Sequence, residues 1–169
     1  MHEIIMSRGL WKVFKKFILK DKCRVVLNGV WFENGWLMAS DGSTAIKTNE
    51  YKCSESLNGS YQIKGEKKLD KNTQSIIVES TELVFPDINK IIDGLKSLHY
   101  FTYPIESRTT VSAAMIKIYS LSKIAINYKF IERLLPLCEK WKILTGEKEP
   151  VYFKCGQAEV LILGFDMMD

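Results

Sequence analysis

The sequence predicts an α+β fold in which two amphipathic helices pack on antiparallel sheet. Three observations point to it. A helix-period apolar pattern near the N-terminus leads into two β-rich runs around an Asn-Gly turn, and the same layout, helix then hairpin, recurs roughly 120 residues later. The chain, 169 residues with 46% apolar and 26% charged side chains, is also long enough to bury a core without disulfide or metal support.

Each element follows from local pattern. Over residues 9–20, Leu10, Val13, Phe14, Phe17 and Ile18 share one helical face while Lys12, Lys15, Lys16 and Lys20 gather opposite. Residues 24–32 and 36–40 read as strands around Asn34-Gly35, because both central positions of a type I′ turn need positive φ. Asp41-Gly42 marks the next turn, and residues 43–48 start a further strand. Residues 49–75, with Asn58-Gly59 and the charged run 65–71, read as short strands joined by a mobile loop. Residues 75–79 are a predicted strand, Phe85-Pro86-Asp87 a turn, 88–98 a loop or short helix, and 111–120 a strand. Asn127 is the predicted N-cap of the second helix, which runs through Trp141 with Ile131, Leu134, Leu135 and Cys138 inward and Lys129, Arg133 and Lys140 outward. Pro136 should kink that helix or end it early. After Gly146, residues 150–155 and 159–163 repeat the strand, turn, strand pattern.

Composition excludes several classes. Ten Gly and four Pro in a chain of ordinary hydrophobicity rule out collagen-like and disordered readings. No apolar run approaches the roughly 18 residues of a membrane helix, and a lysine-studded segment stands where a signal-peptide core would be. The expectation is a soluble, cytoplasmic protein with no membrane partner. Cys23, Cys53, Cys138 and Cys155 are irregularly spaced, with only His2 and His99 to join them, so no zinc site is expected and the cysteines read as buried and reduced. Nucleotide-binding, metalloprotease and hydrolase signatures are missing, and neither histidine is well placed to activate a cysteine. The sequence reads as a non-enzyme with no cofactor and no metal.

Charge is the first uneven feature. The first 24 residues hold seven basic side chains against two acidic ones, so this segment is +5 in a chain whose total is +4. Its helix supports two readings, a solvated lysine face or a phosphate-facing helix that attracts nucleic acid. A membrane-surface helix is a third, disfavoured because the aromatic residues look like core partners.

Leu27-Asn28-Gly29, then a hairpin, then Ala39-Ser40-Asp41-Gly42 resembles the middle domain of the bacterial DNA polymerase III beta subunit, the sliding clamp. That family carries a leucine-asparagine-glycine strand, a hairpin and an alanine-threonine-aspartate-glycine turn in this order. Phe85-Pro86-Asp87, continuing through Ile92, looks like the clamp's connector, and residues 127–165 are similar to the last half of its final domain. The resemblance implies a DNA-clamp-like domain of two βαβββ units with both helices on the DNA-facing side. It implies one such domain over residues 1–169, with a first unit over about 1–80, a connector over about 81–98 and a second unit over about 99–169.

Function follows from the same resemblance. It implies a processivity or replication-accessory protein that contacts duplex DNA non-specifically through Lys12, Lys15, Lys16, Lys20, Lys129, Arg133 and Lys140. A partner-peptide cleft would fall on Gly42, Ser43, Thr44, Ala45, Pro86, Ile91, Leu161, Leu163, Gly164 and Phe165, receiving a replication polymerase or another peptide-bearing protein. A clamp chain has three domains and closes as a dimer, so a one-domain chain would need about six copies, as a homo-oligomer, to close an equivalent ring. Two motifs depart from the family: Ser43-Thr44 stands where it has histidine-arginine, and Leu163-Gly164-Phe165 where it has methionine-proline-methionine. A reading from another class stays open, a clamp-fold protein-interaction module of phage or mobile-element origin that no longer encircles DNA.

Overall fold

Ser7 ends the first strand, β1 (His2–Ser7), and caps the first helix, α1 (Arg8–Phe14), its hydroxyl oxygen accepting the Leu10 N–H at 3.2 Å. The computed structural model describes residues 1–20, 22–96, 101–106, 109–137, 139–145, 150–155, 158–162 and 165–166. The chain divides into two units, Met1–Pro86 and Asp87–Asp169.

In the first unit α1 is shorter than the apolar pattern predicts. It tightens after Phe14 into a 3-10 turn, Lys15–Phe17, and Ile18 is already extended. The cause is packing. Phe14 and Phe17 are 0% and 1% exposed, and three residues per turn brings both rings to the same side. Burying each contributes about 1.5–3 kcal/mol. Leu19 then donates its N–H to the Leu27 carbonyl at 3.1 Å, drawing the chain off the helical path. Lys20 therefore lies beyond the helix.

The expected strand over residues 24–32 begins late. Leu27 N–H bonds to the Arg24 carbonyl at 3.0 Å, curling Val25–Asn28 into a 3-10 turn, and β2 (Gly29–Glu33) starts only at the glycine. A Cβ on Gly29 would collide with the Tyr61 carbonyl of the neighbouring strand, so the close approach itself requires glycine. Asn34 and Gly35, at φ 51° and 79°, form the expected turn into β3 (Trp36–Ser40). Strand β4 (Thr44–Thr48) completes an antiparallel meander, so β1, α1, β2, β3 and β4 follow one another as a βαβββ run.

Residues 49–75 are more ordered than their composition suggests. After β5 (Tyr51–Cys53), the strands β6 (Gly59–Lys68) and β7 (Thr73–Thr81) form one long hairpin whose register runs from Ser60↔Thr81 to Lys68↔Gln74, with a bulge between Ile63 and Gly65. The charged run thus lies mostly in a strand. Asp70 closes the turn, its Oδ1 accepting the N–H groups of Asn72 at 2.7 Å and Thr73 at 2.9 Å. The sheet order is β5-β1-β7-β6-β2-β3-β4, antiparallel throughout. Its aromatic centre is Phe32, edge-on to Tyr61 at 5.1 Å and to Tyr51 at 5.6 Å.

The second unit opens with α2 (Ile88–Lys96) and β8 (Phe101–Glu106). Next comes a correction: residues 111–120, predicted as strand, belong to helix α3 (Val111–Ser122). Alternation at Ile116, Ile118 and Ser120 mimics a strand, but the buried set is Ala114, Ile118 and Ser122, spaced by four. Thr110 fixes the start by accepting the Ala113 N–H at 3.2 Å, and Lys123 at φ 58° closes the end. Ile116 is left 71% exposed.

A two-residue strand, β9 (Ile124–Ala125), precedes α4 (Tyr128–Leu134), which Asn127 caps as expected by accepting the Lys129 N–H at 3.0 Å. The helix ends well before Trp141, passing into the 3-10 turn Leu135–Leu137 that contains Pro136. Trp141 is instead a buried residue of β10 (Lys140–Thr145), and its indole N–H donates to the Leu134 carbonyl at 3.1 Å, satisfying an acceptor at the helix end. Strands β11 (Val151–Cys155) and β12 (Ala158–Ile162) continue a second meander in the order β12-β11-β10-β8, while β13 (Phe165–Asp166) pairs with β9. Glu159 is 4% exposed beside Lys154 at 3.2 Å. The cysteines depart from the buried, reduced expectation: Cys23 is exposed and Cys53 half-buried, both as thiols, and Cys155 is disulfide-bonded.

Candidate nucleic-acid interface

The short first helix and the turn and extended segment beyond it set where the basic residues of the first unit stand. Lys12 projects from α1, Lys16 from the 3-10 turn and Lys20 from the extended segment; all three are exposed. Lys15 differs. Its Nζ is 3.3 Å from both carboxylate oxygens of Glu66 on β6, and Glu66 also accepts the indole N–H of the buried Trp11 at 2.5 Å. The indole hydrogen bond, then Lys15, hold the Glu66 carboxyl below its ordinary range despite some opposing desolvation. Arg8 ties the closing turn of the same hairpin to the helix start, its guanidinium donating to the Lys71 carbonyl at 2.9 Å.

A cleft of about 780 Å³ opens beside this cluster. Lys15, Lys16, Lys20 and Lys22 line it together with Glu66 and Asp41, and Ile18, Leu19 and Ile63 supply apolar wall. Spacing alone missed the cleft, because its parts come from the helix, the segment after it and the long hairpin. The one signal in the sequence was Trp11, an indole needing an acceptor amid lysines.

The second unit does not repeat the lysine stripe. Lys129 is exposed in the first turn of α4, but Lys140 is the first residue of β10 and so does not share a helical face with it. Arg133 falls within α4, and its side chain lies outside the described residues, as do Cys138 and His99 entirely.

Of the expected peptide-cleft residues, Gly42, Ser43, Thr44 and Ala45 form one turn and strand start. Asp41 Oδ1 accepts the N–H groups of Ser43 at 2.9 Å and Thr44 at 2.7 Å, and Gly42 sits at φ 93°. Gly42 and Ser43 are exposed, whereas Thr44 and Ala45 are buried. Pro86 is exposed at the end of the first unit, and Leu161 is buried in β12 of the second. Ile91 lies in α2 and Phe165 in β13, with side chains outside the described residues, and Leu163 and Gly164 lie outside them altogether. Among the described residues no cluster of three or more His, Cys, Asp or Glu could hold a metal ion, and no helix is long and apolar enough to cross a membrane.

No protein-family model matches the sequence, and no curated protein matches it. Solved structures do. The DNA polymerase III beta subunit of Borrelia burgdorferi superposes with a TM-score of 0.57 over 96% of this chain at 13% identity. The Helicobacter pylori beta clamp bound to a DNA ligase peptide gives 0.55 over 96% at 12%, and the Bacillus subtilis sliding clamp 0.55 over 97% at 13%. The chain has the sliding-clamp fold. The expected α+β clamp-like architecture is therefore present, although identity this low establishes the fold alone. The chain spans 62%, 65% and 64% of these three clamps, so it is shorter than any of them.

Proposed function

We propose that this clamp-fold chain is a non-enzymatic replication-accessory protein of the cytoplasm that binds duplex DNA without reading its sequence. The observation that carries the proposal is the exposed set Lys12, Lys16 and Lys20 on a clamp fold, displayed along α1 and the segment after it. Lysines of this kind neutralise phosphates and release counterions, which favours binding at any sequence and permits movement along the duplex. Lys129, Arg133 and Lys140 add positive charge in the second unit, from a helix and a strand. A peptide-bearing replication protein is the second partner, received near the Gly42–Ala45 turn, a reading supported by the DNA ligase peptide on the H. pylori clamp. Copies of the chain assemble to surround the duplex.

Light scattering on a size-exclusion column, with and without duplex DNA, tests assembly, and fluorescence anisotropy at several salt concentrations tests affinity. A ring-sized mass and an affinity that falls with salt and is lost in the Lys12→Glu, Lys15→Glu, Lys16→Glu triple variant are expected. A strict monomer in both conditions sinks encirclement. Absent or salt-insensitive binding sinks the DNA reading and leaves a clamp-fold interaction module.

A further inference from the structure

The lysine cleft of the first unit has properties that a duplex-facing surface does not require. It is concave, and its volume of about 780 Å³ falls in the range of small-molecule sites, which run roughly 300–1,000 Å³. Duplex phosphates are met by charges on an exposed face, and a duplex is too wide for its bases to enter a cleft of this size.

Charge in the cleft is positive and unevenly compensated. Of the two carboxylates among its described lining residues, Glu66 is occupied by Trp11 and Lys15, and Asp41 by the N–H groups of Ser43 and Thr44. Lys16, Lys20 and Lys22 are exposed at the rim. Lys20 is close enough to Glu66 to favour its ionised form, but Glu66 takes its hydrogen bonds from Trp11 and Lys15. The cations among the described lining residues are all lysines, compact point charges on flexible stems that can each meet a phosphate oxygen. Below the rim, Ile18, Leu19 and Ile63 are half-buried and form an apolar wall, whereas Trp11 is 3% exposed and so offers no face for a base to stack on.

We propose that this cleft binds a nucleotide-sized ligand carrying two or more contiguous phosphates, held by Lys16, Lys20 and Lys22, with its organic body against Ile18, Leu19 and Ile63. Contiguous phosphates are favoured over one because three exposed lysines line the same cleft, and its described carboxylates take their hydrogen bonds from other groups. A body of nucleotide size is favoured over inorganic polyphosphate because Ile18, Leu19 and Ile63 give the cleft an apolar wall that phosphate alone would leave uncovered.

Isothermal titration calorimetry of the full chain with ATP and with inorganic tripolyphosphate tests it. Both should bind, ATP more tightly, and Lys20→Ala and Lys22→Ala should each weaken binding about tenfold, the size of one charge-assisted hydrogen bond. Lys12→Ala, outside the cleft, should change it less than about twofold. Ile63→Ser should weaken ATP and leave tripolyphosphate unchanged; melting curves of the surface variants guard against unfolding. Failure of both probes to bind at about 5 mM overturns the proposal, as does binding indifferent to Lys20 and Lys22. The same variants are titrated with a labelled duplex. Loss of duplex affinity without polyphosphate binding overturns the cleft and leaves the DNA reading standing, whereas polyphosphate binding with no duplex affinity does the reverse.

Discussion

The Trp11 indole nitrogen donates to a Glu66 carboxylate oxygen at 2.5 Å, joining the first helix to the long hairpin across 55 residues of sequence. Trp11 is buried and Glu66 is not, so the bond crosses the protein surface. It lowers the Glu66 pKa. A carboxyl whose folded pKa lies below its unfolded value stabilises the fold above the unfolded value and loses that contribution as pH falls through the folded one. The stability of the chain should therefore drop through this group as pH falls below the ordinary carboxylate range. Glu66→Gln should flatten that limb of the urea-midpoint profile, and Trp11→Phe should flatten it partly while costing about 1 kcal/mol at neutral pH.

Thr110 caps a helix that the alternation of its sequence disguised as a strand. If that cap selects the helix, Thr110→Ala should destabilise the second unit by about 1 kcal/mol and Thr110→Ser by much less. Ser7→Ala should do the same for α1. Urea denaturation followed by circular dichroism measures each, and a Thr110→Ala variant indistinguishable from the parent removes the cap from the explanation.

The fold was legible where one physical signal dominated. Asn34-Gly35 and Asn127 act locally, and both stand where their chemistry predicts. Residues 111–120 misled because two periods competed: Ile116 and Ile118 alternate, yet Ile116 faces solvent and only the four-residue spacing of Ala114, Ile118 and Ser122 meets the core. The end of α1 was illegible for another reason, since the bond from Leu19 to Leu27 and the burial of Phe17 are tertiary facts. The cleft shares that cause. Lys16 and Lys20 could be picked out by charge, but Glu66 looked like part of a mobile loop until the hairpin register placed it beside Trp11.

Gly29 approaches the neighbouring strand so closely that an added methyl group would meet the Tyr61 carbonyl. Its φ of −126° is ordinary extended backbone, so substitution costs steric room and not conformational freedom. Gly29→Ala should destabilise the first unit by about 3 kcal/mol, because the obstructing atom is backbone and the strands must part. A loss below about 1 kcal/mol in denaturant melts would mean that β2 and β6 can separate freely.

Tyr152 on β11 is buried, and burial, followed by the adjacent Glu159, pushes its phenol well above the ordinary tyrosine range. A raised folded pKa stabilises the fold below the unfolded value and withdraws that support as pH climbs, so stability should fall above about pH 10. Tyr152→Phe should flatten the alkaline limb. Ultraviolet titration of the parent should show Tyr152 ionising only as the fold opens, after the exposed Tyr119 and Tyr128.

Glu66 also restrains the proposed DNA surface, because it holds Lys15 at 3.3 Å while Lys12 and Lys16 stand in solvent. An ion pair that exposed is weak, yet a phosphate must displace the carboxylate before Lys15 can serve it. Glu66→Gln keeps an acceptor for the Trp11 indole and removes the competing charge. On the DNA-binding reading it should raise duplex affinity severalfold and steepen the slope of log affinity against log salt by about 0.9, the increment of one further phosphate contact. Lys15→Ala should cost the parent less affinity than Lys16→Ala, and should cost the Glu66→Gln variant about as much. Anisotropy titrations from about 50 to 200 mM salt measure the parent, the three single variants and the Lys15→Ala, Glu66→Gln double variant. An unchanged slope in Glu66→Gln would show that Lys15 never reaches the duplex, and would move the phosphate contacts to Lys12, Lys16 and Lys20.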